Sequence, residues 1–133
     1  MTNNSITQSS TPPAVLITGA SVRIGASIVK LLHQQGYNIL LHYNRSQVDA
    51  EHLAEQLNSS REDSVHCIQA DLLDSESLKK LAIESINHWG RLDVLINNAS
   101  SFFPTPLAQA SEQDWQELMG TNAKAPFILL QHT

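Results

Sequence analysis

The chain carries a single cysteine, Cys67, among 133 residues. An intramolecular disulfide and a cysteine-based metal centre are therefore both excluded. Basic residues are also scarce: Lys+Arg is 8 against Asp+Glu 13, a formal net charge of -5. That balance argues against a sequence-independent nucleic-acid binder, which needs a net basic face. No apolar run approaches the roughly 20 residues that span a bilayer. The opening residues have neither a basic start nor an apolar segment, so no secretory signal is read there. The six histidines show no metal-ligand spacing. What is present is ordinary globular material, 41% apolar and 16% charged, too apolar for a disordered chain. That length suits one domain and buries about two thirds of its unfolded surface. These features lead to the expectation of a soluble cytoplasmic protein without a membrane or nucleic-acid partner.

Residues 1–12 read as a disordered polar tail rich in Ser, Thr and Asn, ending at a Pro pair that blocks a helix. From residue 13 the chain alternates regularly. Apolar runs over residues 14–18, 37–42, 64–69 and 92–96 read as buried strands. Between them, apolar residues recur at helical spacing: Ile24, Ile28, Leu31 and Leu32, then Leu53, Ala54 and Leu57, then Leu78, Leu81, Ala82 and Trp89. Ser46 with Asp49, Asp74, and Ser111 with Asp114 mark helix starts, and Gly36 and Gly90 mark stops. The order β-α-β-α-β-α-β-α requires helical crossovers and hence a parallel sheet. The expected fold is α/β: an incomplete, Rossmann-like doubly wound parallel sheet of about four strands with flanking helices.

The first strand ends in Thr18-Gly19-Ala20-Ser21-Val22-Arg23-Ile24-Gly25 and runs straight into a helix. Glycines there permit a tight turn and close approach of a phosphate, which the free N–H groups of the helix start attract. Arg23 is an odd choice, since a cation at a helix N-terminus opposes the helix dipole. A bound anion removes that conflict; otherwise Arg23 is a solvated surface residue. After the second strand, an NAD-type site places an acid that accepts hydrogen bonds from the ribose 2′-hydroxyl. No carboxylate occurs between Gly36 and Asp49; Arg45 and Ser46 stand there instead. Two or three charge-assisted bonds to a 2′-phosphate, each about 1.5–3 kcal/mol, favour NADPH over NADH. The plainer alternative is that Arg45 and Ser46 only start the next helix. Asp71 reads equally as a turn or helix-cap residue, and Phe102 and Phe103 as loop packing.

The first turn resembles Thr-Gly-x-x-x-Gly-x-Gly of the short-chain dehydrogenase/reductase family. Arg23 in place of the middle glycine matches the pteridine reductase subgroup, as does the arginine inside His42-Tyr43-Asn44-Arg45-Ser46. The closest match is the stretch Asn97-Asn98-Ala99-Ser100-Ser101-Phe102-Phe103-Pro104-Thr105-Pro106-Leu107. The resemblance implies an NADPH site formed by Gly19, Ser21, Arg23, Ile24, Gly25, His42, Asn44, Arg45, Ser46, Asp71, Leu72, Asn98, Ala99 and Ser100. Within it, Asp71 and the next backbone N–H, of Leu72, would meet the adenine. Ser100 would bind substrate and cofactor, and Phe102 would stack on a pterin-like ring. Asn122, with Pro126 following, would interrupt the last helix so that its freed carbonyl holds a proton-relay water.

The family delivers its proton from a Tyr-x-x-x-Lys pair. Here Tyr37 is followed four residues later by Leu41, and Tyr43 by Gln47, so neither forms the motif. The resemblance covers residues 13–133 but only about the first half of a typical family domain, stopping in the helix after strand four. The expectation is therefore the NADP-binding part of an NADPH-dependent pteridine reductase, inactive in isolation, whose parent is a homo-oligomer. The alternatives are a non-catalytic nucleotide-binding fragment and a different carbonyl reductase of the same family.

Overall fold

The computed structural model describes residues 11–133. Residues 1–10 of the expected tail lie outside the described residues; the Thr11 carbonyl accepts a hydrogen bond from Arg91 at 3.0 Å. The elements run β1 (Ala14–Ile17), α1 (Arg23–Gln34), β2 (Asn38–Tyr43), α2 (Gln47–Ser60), β3 (Val65–Gln69), α3 (Ser75–Trp89), β4 (Val94–Ile96), α4 (Glu112–Met119), a π-helical turn (Gly120–Lys124) and α5 (Ala125–His132). The four strands form one parallel sheet in the order β3-β2-β1-β4. The chain thus builds outward from β1 to β3, then crosses back to lay β4 on the other side of β1. Reversal of strand order at β1 opens a crevice at the C-terminal ends of β1 and β4, the place where open α/β sheets bind ligands.

Strand alternation divides the core into two layers. Leu16, Leu40 and Ile68 face Leu78, Leu81 and Ala82 of α3 and Ile128 and Leu129 of α5. Val15, Ile17, Ile39, Leu41 and Val65 face Val29 of α1 and Ala50, Leu53 and Ala54 of α2. Every residue of β1 is fully buried, as a central strand covered on both faces should be.

Several boundaries move from the sequence reading, two of them where a side chain takes a backbone N–H. Strand four begins at Val94 because the Asp93 carboxylate occupies the Ala14 N–H at 2.8 Å. Strand three begins at Val65 because Ser64 N–H donates to the Asn58 side chain at 2.9 Å. The second strand shifts by one residue, to Asn38–Tyr43. The expected apolar face of α1 is rotated. Gly25, Val29 and His33 are the buried positions, while Ile24 and Leu31 are 72% and 57% exposed. Gly25 sets this rotation, because only a residue without Cβ can press its backbone onto the preceding turn. The last helix is interrupted between α4 and α5, and Trp115 of α4 is 65% exposed.

Candidate functional site

The crevice is built from loops that leave the C-terminal ends of β1, β2 and β4 and, at its edge, of β3. The first is the turn after β1. Gly19 sits at φ +59, and a Cβ there would stand 3.0 Å from the Ala99 Cα. A Cβ on Gly25 would collide with the Gly19 carbonyl and stand 2.8 Å from both the Ala20 Cα and the Asn98 Nδ2. The turn and the start of α1 therefore touch backbone to backbone. Gly19 and Ala20 N–H groups are consumed: they donate to His42 Nδ1 and to the His42 carbonyl, each at 3.0 Å. As the first three positions of α1, Arg23, Ile24 and Gly25 present N–H groups with no intrahelical acceptor. Val22 cannot cap the helix with its side chain. Arg23 itself lies at φ 52, a left-handed conformation that costs a non-glycine residue about 1–3 kcal/mol.

Thr18 and Asn98 lock the first loop to the third. Thr18 Oγ1 accepts from the N–H groups of Asn98 and Ala99 at 3.1 and 3.0 Å. Asn98 Nδ2 donates back to the carbonyls of Thr18 and Gly19 at 3.1 and 2.9 Å. The second loop, Asn44–Ser46, is short and exposed. Ser46 occupies the N-cap of α2, but its side chain makes no capping bond, unlike Asp74 on α3 and Ser111 with Asp114 on α4. No carboxylate pairs with Arg23 or Arg45 among the described residues.

A cleft of about 370 Å³ brings together Gly19, His42, Asn44, Arg45, Asp71, Leu72, Ala99 and Ser100, eight residues that the family resemblance assigns to one ligand. Leu73, Ser101, Glu117 and Thr121 complete its wall; of these only Ser101 lies in a motif stretch, and the sequence reading gives none of them a ligand role. Asp71 Oδ1 accepts from the Leu73 N–H at 2.9 Å, so its turn role is realised at the cleft edge. Gly25 and Asn98 pack behind Gly19, while Ser21 and Ser46 are not among the residues that line the cleft. Arg23 and Ile24 line a separate shallow hollow on the outer side of α1, with Ser27, Ile28 and Leu31. A larger cleft, about 610 Å³, lies between Leu73 and α4 and carries none of the motif residues.

Phe102 is 90% exposed, so packing onto the core does not explain it. Its loop is held from behind: Asn122 Oδ1 accepts from the Ser101 N–H at 3.0 Å, and Asn122 Nδ2 donates to the Ser101 carbonyl at 2.8 Å. Asn122 lies in the π-helical turn, where Ala125 N–H reaches back five residues to Gly120. Pro126 has no N–H, so the Asn122 carbonyl lacks its usual donor four residues on.

His42 is buried, and its ring is fully occupied. Nδ1 accepts from Gly19, which leaves Nε2 to carry the proton and donate to the Ala70 carbonyl at 2.9 Å. Burial lowers its pKa, with the Ala70 bond opposing in part. Tyr43 is pushed above the usual phenol range by burial, then by Glu51 and Cys67, the opposite of an activated proton donor. Burial and Glu51 raise the Cys67 thiol to about 11, which fits a small packing residue and not a nucleophile. No helix among the described residues is long and apolar enough to cross a membrane.

A parallel sheet with reversed strand order, a glycine turn at the switch point and an open helix start defines the nucleotide-binding class of α/β folds. The sequence model of the short chain dehydrogenase family matches residues 13–133, and the chain belongs to that family. Pteridine reductase 1 of Leishmania tarentolae is 38% identical over 157 residues, covering 95% of this chain and 54% of that protein. The 3-oxoacyl-[acyl-carrier-protein] reductase FabG of Staphylococcus aureus is 36% identical over 118 residues, 89% of this chain and 48% of the relative. Its counterpart in Staphylococcus epidermidis is 34% identical over the same length. The chain spans about half the length of these relatives.

Proposed function

We infer that the chain forms the NADPH-binding part of an oxidoreductase that reduces pterins. The observation that carries the cofactor choice is Arg45, exposed at the cleft without a carboxylate partner, beside the uncapped start of α2. A 2′-phosphate satisfies both, through a charge-assisted bond to the guanidinium and through the N–H groups of the helix start. The glycine cradle at Gly19 and Gly25 gives the pyrophosphate its approach, with Ser21 and the N–H groups of Arg23, Ile24 and Gly25 as donors. Asp71 and Leu72 border the adenine end; Asn98, Ala99 and Ser100 border the ribose. When bound, the reduced nicotinamide supplies hydride to the substrate.

The substrate class rests on the loop Ser100–Phe103 and on the likeness to pteridine reductase 1. The exposed Phe102 ring offers a face to a flat heterocycle, and Ser100 offers an edge contact. Asn122 fixes this loop through its side chain and leaves its carbonyl for a water that hands protons onward. The likeness to FabG supports a second reading, reduction of a ketoacyl group, in which Phe102 has no ring to stack on. No Tyr-x-x-x-Lys occurs in the 133 residues, so the isolated chain binds nucleotide and does not turn over. The longer protein is a cytoplasmic homo-oligomer in this reading.

The test is an Arg45→Ala variant titrated with NADPH and NADH. NADPH affinity falls about tenfold or more, the effect of losing one charge-assisted bond, while NADH affinity stays. Equal losses for both nucleotides contradict the 2′-phosphate assignment.

A further inference from the structure

His42 follows the apolar run Ile39–Leu41 in the second strand and is buried at the wall of the crevice. A buried imidazole must have its polar atoms satisfied. Both of its nitrogens are spent on backbone: Nδ1 on the Gly19 N–H of the first turn, Nε2–H on the Ala70 carbonyl after β3. Its own carbonyl takes the Ala20 N–H. One residue therefore ties together the C-terminal ends of three strands and claims the first two amides of the glycine turn. The amides left over are those from Ser21 onward, at the start of α1.

We propose that His42 is a positioning residue for nucleotide binding: it turns the Gly19 and Ala20 amides away from the ligand and so presents the Ser21–Gly25 amides to the pyrophosphate. This inference rests on the nucleotide reading above. His42 makes no bond to the ligand itself. Its effect runs through the Gly19 bond, so an acceptor at the Nδ1 position is what nucleotide affinity requires. The Ala70 bond holds β3 and contributes stability.

Two variants separate the bonds. Asparagine places an oxygen acceptor near the Nδ1 position; glutamine places a donor near the Nε2 position and leaves Gly19 without its acceptor. NADPH is titrated calorimetrically into the unsubstituted chain, His42→Asn and His42→Gln, each well below its melting temperature. The expected result is affinity within about threefold of the unsubstituted chain for His42→Asn and about tenfold weaker for His42→Gln, roughly the effect of one hydrogen bond. A role in stability alone leaves both folded variants binding equally, and that result overturns the proposal. Absence of NADPH binding by the unsubstituted chain overturns the nucleotide reading and this proposal with it. Where a variant does not fold, ¹⁵N NMR of the unsubstituted imidazole decides the geometry. A ring protonated at Nε2, with Nδ1 hydrogen-bonded to the Gly19 amide, supports the assignment; a ring protonated at Nδ1 overturns it.

Discussion

The two ends of the sheet treat polar groups in opposite ways. At the N-terminal ends of the strands, side chains are spent on neighbouring backbone. Arg61 donates to Asn38 Oδ1 and to the carbonyls of His33 and Tyr37. Asn58 accepts from the N–H groups of Ser64 and Val65 and donates to the Val65 carbonyl. Asp93 takes the Ala14 N–H and pairs with Arg91. At the C-terminal ends, Thr18, His42 and Asn98 are just as fully used, but they serve as a frame. Within that frame the side chains of Arg23, Arg45 and Ser46 have no hydrogen-bond or ion-pair partner among the described residues, and no side chain caps the starts of α1 and α2. A fold of marginal stability leaves such groups open where a ligand supplies the missing bonds. One end of this sheet is finished by the chain; in the proposed reading the other is finished by an anion.

The most disruptive way to test the contrast is Gly25→Ala. A Cβ at that position meets backbone on two sides, so turn and helix must part, at a cost of about 3 kcal/mol. Thermal denaturation should show the loss, and the remaining folded protein should bind NADPH poorly. A variant as stable as its parent breaks the account of how α1 is seated. Next in size is Arg61→Ala at the opposite end. It removes three partly buried hydrogen bonds and should cost about 2 kcal/mol. Because that end is structural, NADPH affinity of the folded variant should not change; a changed affinity would blur the distinction between the ends.

A smaller effect should appear on mild acidification. His33, His42 and His88 all have pKa values held below the ordinary 6.5, each chiefly by burial. For His33, Arg61 adds to the lowering; for His88, His66 adds to it while Asp63 and Glu84 oppose. Below pH 6.5 the unfolded chain takes up protons that the folded chain refuses, so stability is full above that pH and declines as pH falls below it. Urea midpoints measured between pH 7.5 and pH 5 should fall, before the carboxylates with ordinary values near 4 begin to protonate. A flat profile over that range contradicts the neutral, backbone-bonded state of His42.

Much of this was legible in the residues. The alternation of apolar runs with 3.6-residue periodicity gave four parallel strands, and Asp74 and Ser111 with Asp114 marked the starts of α3 and α4 by side chains that do cap them. Eight motif residues do meet in one cleft. The rotation of α1 was not legible, because the apolar pattern of Ile24 and Leu31 is stronger than the silent demand of Gly25 for backbone contact. Nor was the pairing of Asn122 with Ser101, 21 residues away, or the convergence of Arg61 on three groups. Such contacts depend on where loops meet in space, and periodicity carries no information about that. His42 did leave a trace: a histidine at the end of a buried strand run needs two partners.

The central claim is that the open end of the sheet is the nucleotide end. Mapping backbone amide shifts of the chain during an NADPH titration tests it most directly. The account predicts that the perturbed amides cluster at Ser21–Gly25, Arg45–Ser46, Asp71–Leu72 and Ala99–Ser100, with those of Asn58, Arg61 and Asp93 unmoved. Shifts centred on the latter three, or saturable binding that leaves the Ser21–Gly25 amides unperturbed, would contradict it.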